Sequence, residues 1–228
     1  MSPESIAFDE RVAAHYEAWY KTPQGQRADA LEEAALQRLL QHFPEAHSVL
    51  EVGAGTGHFT RWFRERGLAA VGLDLSAAML AQAEKLNGVT MVQSDACRLP
   101  FARNAFDLIA FVTTLEFLPC AREALRDGLR VARQGLLLGV LNRWSPLGVR
   151  HRLEGIFYPS IYNEAHFYSV RELQRLLWSV TGEQAHLVWE TTLLPSWWPK
   201  RATNQPWGGF IAMAVLTPGR QRRGYQTE

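Results

Sequence analysis

The chain alternates short apolar runs with segments whose apolar residues recur at helical spacing. Seven runs have the length and composition of strands, and the fourth, FDLIAFV, is apolar throughout, as expected of a strand buried on both faces of a sheet. The runs cover residues 49–52, 69–74, 89–93, 106–112, 136–141, 187–191 and 210–216. Seven strands separated by helices predict an α/β fold with a doubly wound sheet.

Helix boundaries can be predicted between several of these strands. Ser76 is placed to cap the helix after the second strand. Proline is favoured at the start of a helix, so we expect a helix over residues 119–131. Between strands five and six, Ser169 and Glu172 form a predicted capping box, and Gly182 is placed to end that helix.

The region before the first strand, residues 1–43, is predicted to be a helical cap. It contains an aromatic cluster, then a turn at Pro23–Gly25, then an amphipathic helix. The aromatic cluster is Tyr16, Trp19 and Tyr20, and the apolar helix face is Leu31, Ala35, Leu36, Leu39 and Leu40.

The first predicted strand runs directly into a glycine-rich turn, in the stretch SVLEVGAGTGHFT. Gly53, Gly55 and Gly57 allow a sharp turn and a close approach of the backbone to a ligand. Glu51, two residues before the first glycine, would repel the pyrophosphate of a dinucleotide bound at this turn. The pattern also departs from the dinucleotide fingerprint, because position 58 is His. A ligand that carries positive charge is therefore predicted here.

The pattern E-x-G-x-G-x-G at residues 51–57 resembles motif I of the class I S-adenosylmethionine (SAM)-dependent methyltransferases. A ligand with an amino group and a sulfonium suits the carboxylate of Glu51. The resemblance implies SAM as cofactor, bound by Glu51 and the three glycines. It also implies the sheet order 3-2-1-4-5-7-6, with the last strand antiparallel. Its specific motifs lie within residues 48–141.

Further cofactor contacts are expected after the second and third strands. Asp74 lies 21 positions after the first glycine, about the separation that brings an acid beside a ribose, and its oxygens can accept from both hydroxyls. Leu75 and Met79 would form one wall around the adenine. The stretch QSDACRLPF resembles the family's motif II. By that resemblance Asp95 would accept from the exocyclic amine, and the amide of Ala96 would donate to a ring nitrogen.

The resemblance puts the floor of the cofactor site after the fourth strand, in TTLEFLPC. Thr113 and Leu115 would contact the methionine part of SAM, mostly through the backbone. The N-terminal segment resembles the part of many small-molecule methyltransferases that folds over SAM, which brings Tyr20, and less directly Tyr16, to cofactor or substrate. Ordinary packing of the cap is the alternative. A solvated carboxylate is too acidic for a general base, so we expect Glu116 to have a structural or orienting role, and no catalytic residue is predicted.

Cys97 and Cys120 are the two cysteines of the chain, and they match neither a disulfide framework nor a zinc pattern. We therefore expect no metal site, a buried filler role for Cys97, and a reducing cytoplasm as the location. The pair Pro119–Cys120 is similar to the nucleophile of cytosine-C5 methyltransferases. Its predicted place at a helix start, and a chain too short for a DNA-recognition domain, favour a structural role instead.

Composition limits the partners. The formal net charge is +1, so no overall field attracts the chain to nucleic acid or to an anionic membrane. The N-terminus lacks the apolar core of a signal peptide, and no apolar run is long enough to cross a bilayer. One domain is expected over residues 1–228, divided into the cap at 1–43, a SAM-binding core at 44–141, substrate-side insertions with the last strands at 142–217, and a tail at 218–228.

Two long segments, 142–167 and 192–209, follow the carboxyl ends of predicted strands, where open α/β sheets bind ligands. Their aromatic residues are Trp144, Phe157, Tyr158, Tyr162, Phe167, Trp197, Trp198 and Trp207. We expect an aromatic-walled acceptor pocket, with a lid from 192–209 and a wall from 142–167. The alternative is that these side chains only cover the edge of the sheet.

The sequence thus predicts a SAM-dependent methyltransferase that aligns a small-molecule acceptor for in-line displacement. Two alternatives stay open. One is methylation of RNA or protein, against which the near-neutral charge counts. The other is a SAM-binding regulatory protein without turnover, which the cofactor residues cannot distinguish from an enzyme. The sequence determines neither the acceptor nor the methylated atom nor the oligomeric state.

Overall fold

A computed structural model of the chain describes residue 8 and residues 10–86, 88–143, 165–182, 185–193 and 204–217. The helices are α1 (Glu10–Tyr20), α2 (Pro23–Leu40), α3 (His58–Glu65), α4 (Ala77–Lys85), α5 (Ala121–Val131) and α6 (Val170–Thr181), with a single 3₁₀ turn at Leu115–Phe117. The strands are β1 (Ser48–Val52), β2 (Ala69–Asp74), β3 (Thr90–Gln93), β4 (Phe106–Val112), β5 (Ala132–Leu141), β6 (His186–Thr192) and β7 (Phe210–Leu216).

All seven strands form one sheet in the order β3-β2-β1-β4-β5-β7-β6. Strands β1 to β5 pair in parallel, and β7 is antiparallel to both of its neighbours. The predicted order and the antiparallel last strand are therefore confirmed. Strand β6 runs in the same direction as β1 to β5, so its carboxyl end lies at the same edge of the sheet as theirs.

Each face of the sheet is covered by its own apolar layer. On one face, Leu125 of α5 and Leu173 of α6 are fully buried against the sheet. On the other, Leu36 of α2 and Phe63 of α3 are fully buried. Strand β4 contributes to both layers, which is why its sequence is apolar without interruption.

Two predicted helix starts are corrected. Helix α2 begins at Pro23 instead of after a turn, because Thr22 caps it by accepting a hydrogen bond from the Gly25 amide at 3.0 Å. Helix α5 begins at Ala121, two residues later than expected, because the backbone of Cys120 is not helical. The capping box of Ser169 and Glu172 on α6 and its end at Gly182 are confirmed, and no helix among the described residues is long and apolar enough to cross a membrane.

The expectation that the two cysteines are unpaired is wrong. Cys97 and Cys120 form a disulfide, with their Cα atoms 6.0 Å apart, a usual separation for such a bond. The bond ties the loop after β3 to the start of α5. The two segments lie together only in the folded chain, because β3 and β4 are not neighbours in the sheet. The spacing of the cysteines along the sequence therefore did not predict the disulfide.

Candidate functional site

The glycine-rich turn follows β1 at the carboxyl edge of the sheet. Gly53, Gly55 and Gly57 have φ values of 72°, 56° and 77°, in the left-handed region that favours glycine. A Cβ on Gly53 would lie 2.2 Å from the side chain of Thr114, so packing requires glycine there. A Cβ on Gly55 would meet no atom within 4 Å. The turn therefore exposes backbone to an open space at Gly55.

Asp74, the last residue of β2, lies against this turn, and its contact with a ribose stays a prediction. Its Oδ2 accepts a hydrogen bond from the Gly55 amide at 2.7 Å, and its Oδ1 accepts one from the Ser76 amide at 2.8 Å. Burial raises the pKa of the Asp74 carboxyl, and these two amides oppose that rise. The Asp74 carboxyl and the exposed backbone of Gly55 are thus held together.

Glu51 lies within β1, and only 2% of its surface is exposed. Its Oε2 accepts a hydrogen bond from the Thr60 hydroxyl of α3. Burial raises the pKa of Glu51 to about 8, and the charge of Asp74 adds to the rise, whereas the Thr60 hydrogen bond and the charge of Arg61 oppose it. A positively charged ligand group would favour the ionised form of this carboxyl.

The residues predicted to surround adenine differ in accessibility. Leu75 is 56% exposed and Asp95 is also exposed, whereas Met79 and Ala96 are buried. The Oδ1 of Asp95 accepts a hydrogen bond from the Cys97 amide at 2.8 Å, which leaves its other oxygen for a ligand. Leu75 and Asp95 are therefore the two of these side chains that a ligand can reach without displacing the core.

The loop that follows Asp95 is held by a pair of residues that sequence reasoning missed. Asp127 of α5 accepts a hydrogen bond from the Leu99 amide at 2.7 Å, and Arg130 donates to the carbonyls of Phe101 and Leu99. Arg130 also pairs with Asp127, and this contact is the main cause of the lowered pKa of that carboxyl. An acid and an arginine three residues apart on a helix are so common that their spacing gives no functional signal.

The predicted floor of the site lies where β4 ends. Thr113 has a φ of 51°, which is rare for a β-branched residue, and its amide donates to the carbonyl of Gly139 at 2.7 Å. Such a conformation costs about 1–3 kcal/mol and is found mainly where surrounding structure fixes it, often at functional sites. Leu115 is fully buried, and its contact with the cofactor stays a prediction.

The N-terminal cap lies against the glycine turn. The ring of Tyr20 stacks on His58, the first residue of α3, with centroids 3.9 Å apart. On α1, Glu17 accepts a hydrogen bond from the Thr56 hydroxyl at 2.5 Å, and on α2, Asp29 lies 2.7 Å from His58 Nε2. Tyr20 thus lies beside the turn, and its contact with a cofactor stays a prediction.

Two buried carboxyls were not recognised as a site from the sequence. Glu32 of α2 is 6% exposed and Glu116 of the 3₁₀ turn is 2% exposed. The expectation of a solvated Glu116 is therefore wrong. Burial raises the pKa of Glu32 to about 8 and that of Glu116 to about 7, and the charges of Asp29 and Glu116 add to the rise at Glu32. The sequence did contain a signal, because Glu32 precedes the buried Ala35, Leu36 and Leu39 at helical spacing and so shares their face.

The predicted lid and wall fall mostly on residues 144–164 and 194–203, which lie outside the described residues, as does the tail at 218–228. The same holds for Trp144, Phe157, Tyr158, Tyr162, Trp197 and Trp198. The ends of the two segments do meet in the structure. The Asn142 side chain, just after β5, donates to the carbonyls of Pro206 and Gly208, at 2.7 and 2.8 Å, just before β7.

Known proteins resemble this chain in sequence. Residues 50–138 match a family described as a methyltransferase domain. An uncharacterised protein of Mycobacterium tuberculosis is 32% identical over 169 residues, which cover 73% of this chain and 57% of that protein. A malonyl-[acyl-carrier protein] O-methyltransferase of Pectobacterium atrosepticum is 35% identical over 109 residues, 46% of this chain and 43% of that enzyme. The chain thus spans about half the length of these relatives.

Solved structures extend the similarity to nearly the whole chain. A SAM-dependent methyltransferase of Thermotoga maritima, described as a possible histamine N-methyltransferase, superposes with a TM-score of 0.74 at 28% identity, covering 91% of this chain and 96% of that one. The magnesium protoporphyrin IX methyltransferase of Synechocystis superposes with a TM-score of 0.66 at 14% identity over 92% of this chain and 96% of that one, which shows a shared fold. The family match and the shared fold together identify a methyltransferase domain with the fold of the class I SAM-dependent methyltransferases, whose cofactor is SAM.

Proposed function

We propose that this chain transfers the methyl group of SAM to a small-molecule acceptor. The observation that carries the proposal is the hydrogen bond from the Gly55 amide to Asp74 beside an open space at the carboxyl edge of the sheet, with the buried Glu51 within electrostatic reach of Asp74. A backbone approach at Gly55 suits a bulky ligand, and the two acids suit its ribose and its positive charge. The residues present therefore fit SAM.

Each predicted cofactor residue receives a role in this proposal. Asp74 would accept from the ribose hydroxyls, and Glu51 would favour the positively charged amino acid end. Leu75 and Met79 would face the adenine, whose edge Asp95 and the Ala96 amide would read. The remaining contacts, from the glycine turn, the floor and the cap, would come from Gly53, Gly55, Gly57, Thr113, Leu115 and Tyr20.

SAM supplies a methyl group on a sulfonium that is already activated for displacement, so the main task of the protein is alignment. The chain's residues would hold the acceptor on the line of attack and exclude water from it. The acceptor would lie beside the cap, where Tyr20 stacks on His58 at the end of the glycine turn and Glu32 and Glu116 lie within electrostatic reach. Glu32 and Glu116 differ from the cofactor residues in that neither is needed to explain SAM binding.

A small acceptor is supported by the near-neutral charge of the chain and by the names of its relatives. Those names include a malonyl-[acyl-carrier protein] O-methyltransferase, a demethylmenaquinone methyltransferase and a possible histamine N-methyltransferase. Because these acceptors differ in the atom that is methylated, the names do not select one for this chain. The acceptor must be inferred from the side chains around its site.

Transfer of a tritiated methyl group from SAM to a metabolite extract tests the proposal. We expect label in the acid-soluble, low-mass fraction, and we expect Asp74→Ala to reduce it because SAM binding is weakened. Label confined to precipitated protein or RNA would contradict a small-molecule acceptor. Tight SAM binding without any transfer would instead favour a regulatory SAM-binding protein.

A further inference from the structure

Glu32 and Glu116 come from different elements, and both side chains are buried. The charge of Glu116 is one of the causes that raise the pKa of Glu32, which places the two side chains within electrostatic reach of each other. One oxygen of Glu116, Oε1, accepts a hydrogen bond from the Leu141 amide at 2.5 Å. Its Oε2 is buried and has no hydrogen-bond partner in the described part of the chain. An unsatisfied buried oxygen of this kind is destabilising, and more so if it is charged.

The pair lies at the edge of the sheet where the cofactor is proposed to bind. Glu116 follows the end of β4 by four residues, and Leu141, which it contacts, is the last residue of β5. In the same loop, the Thr114 hydroxyl donates to the carbonyl of Gly53 at 3.3 Å, so this loop packs on the glycine turn. Glu116 is thereby fixed close to the point where β1 gives way to that turn.

Glu32 approaches the same region from the cap. Burial is the main cause of the raised pKa of Tyr20, and the charge of Glu32 adds to the rise. The Tyr20 ring stacks on His58 at the end of the glycine turn. Asp29, one helical turn earlier on α2, contacts His58 directly. Glu32 and Glu116 therefore approach the glycine turn from two different elements, Glu32 from the cap and Glu116 from the carboxyl ends of β4 and β5.

Neither carboxyl forms an ion pair with a lysine or arginine among the residues that the structure describes. Two buried acids without a cation are unfavourable as charged groups and become favourable when a cation or a hydrogen-bond donor binds between them. An acceptor that arrives as an ammonium ion provides both. A neutral alcohol or a carbanion precursor provides no positive charge.

We propose that Glu32 and Glu116 bind the methyl acceptor as an amine and that Glu116 removes the proton that blocks its nitrogen. This inference rests on the function proposed above. The ammonium N–H donates to Glu116 Oε2, the proton passes to that oxygen, and the electron pair left on nitrogen forms the bond to the methyl carbon. The bond from that carbon to sulfur breaks, its electron pair stays on sulfur, and Glu116 later releases its proton to water.

The groups that face the two carboxyls suit such a transfer. Glu32 is faced by Asp29, Tyr20 and Glu116, and Glu116 is faced by Glu32 and Tyr168. All of these groups are acids or phenols. Because none of them carries a positive charge, they keep the pKa of both carboxyls high. With a pKa of about 7, Glu116 can take up and release a proton near neutrality, which a solvated carboxylate cannot do.

The first test identifies the methylated atom in the labelled product obtained from the metabolite extract, by mass spectrometry and NMR. An N-methyl product supports the inference, and an O-, S- or C-methyl product overturns it. The latter result would leave the proposed methyltransferase function intact. Failure of the chain to bind SAM would instead remove the proposed function itself, so the two failures are distinguishable.

The second test uses variants and a binding measurement. Glu32→Gln and Glu116→Gln should each lower kcat/KM for the acceptor by about tenfold or more, the loss expected for a charged hydrogen bond, and leave the Kd for SAM unchanged. Glu33→Gln is the matched control, because Glu33 is adjacent on α2 but contacts Arg66 instead. Unchanged kcat/KM in both Glu32→Gln and Glu116→Gln would overturn the inference.

Binding can be measured without turnover by titrating 2-phenylethylamine and 2-phenylethanol into the protein saturated with S-adenosylhomocysteine. We expect tighter binding of the amine, and we expect this preference to disappear in either glutamine variant. Equal affinity of the two probes for the unaltered protein would contradict an amine site. Thermal denaturation of each variant confirms that it is folded.

Discussion

The Oδ2 atom of Asp74 accepts a hydrogen bond from the Gly55 amide at 2.7 Å, so the end of β2 is fastened to the glycine turn after β1. The same carboxyl is proposed to bind the ribose, and the same glycine exposes the backbone that faces the open space. One residue thus both shapes the turn and offers oxygens to the ligand. The predictions for SAM binding follow from this contact.

Replacement of Asp74 by alanine should weaken SAM binding by about 1.5–3 kcal/mol, since charged hydrogen bonds to the ribose are lost. Titration calorimetry measures the change. Asp74 also holds Gly55, so a loss of affinity could arise from either contact. S-adenosylhomocysteine and its 2′,3′-dideoxy derivative, which lacks the ribose hydroxyls, separate the two effects. The variant should lose less affinity for the derivative, and an equal loss for both ligands would show that Asp74 acts on the turn alone.

Binding of SAM should release protons near neutral pH. The pKa of Glu51 is about 8 without ligand, so at pH 7 much of this carboxyl is protonated, and a bound positive charge favours its ionised form. Calorimetry of SAM binding in phosphate and in Tris, which differ in ionisation enthalpy, counts the released protons. Glu51→Gln should weaken SAM binding and abolish the release attributed to this group. The same release in the variant would assign it to another residue.

Stability of the unliganded protein should fall as pH rises from about 5 to 8. Glu32, Glu51 and Glu116 have raised pKa values of about 8, 8 and 7 when folded, so the folded protein holds protons that the unfolded chain has already lost in this range. Their stabilising effect is complete below the ordinary pKa of 4.5 and is lost as pH passes the raised values. Scanning calorimetry at several pH values measures Tm.

The lowered pKa values of Asp107 and Asp127 have the opposite effect, in a more acidic range. They therefore do not mask the decrease in stability between pH 5 and 8. Glu32→Gln and Glu116→Gln should each flatten the fall. A Tm that is constant or rises over this range would show that the carboxyls are not buried as described.

The Cys97–Cys120 disulfide should contribute about 3 kcal/mol to stability, from closure of a loop with a sequence separation of 23 residues. Cys120→Ser, or reduction, should lower Tm by a corresponding amount and leave most methyl transfer intact. Alkylation followed by mass spectrometry establishes whether the thiols are paired in the purified protein. A loss of several orders of magnitude in rate, or a trapped covalent adduct, would make Cys120 a nucleophile after all.

The parts of the fold that the sequence predicted are those with strong local signals. The apolar run of β4, the glycine turn and the capping box of α6 each depend on residues close together in the chain. From these, with the family resemblance, the sheet order could be stated in advance. The start of α5 was missed because Cys120 is held by a distant partner, which a local pattern does not show.

The candidate site was predicted unevenly for the same reason. Asp74 could be placed because its separation from the glycines is set by one strand–helix–strand unit. The role of Glu116 could not, because its burial depends on Leu141 and on the cap, which come from distant parts of the chain. Glu32 was within reach of sequence reasoning, as a lone acid on an apolar helix face.

Titration of SAM into a pair of matched glycine variants tests most directly whether the turn after β1 is the cofactor site. Gly55 and Gly67 both have positive φ values, 56° and 86°, and an added Cβ would meet no atom within 4 Å at either position. Alanine at either should therefore cost a similar amount of stability, about 1–2 kcal/mol. Only Gly55 borders the proposed site, since Gly67 lies in the exposed turn between α3 and β2. We predict that the unaltered chain and Gly67→Ala bind SAM equally and do not bind NAD, whereas Gly55→Ala binds SAM far more weakly. Equal SAM affinity in the two variants, or tight NAD binding by the unaltered chain, would contradict the account.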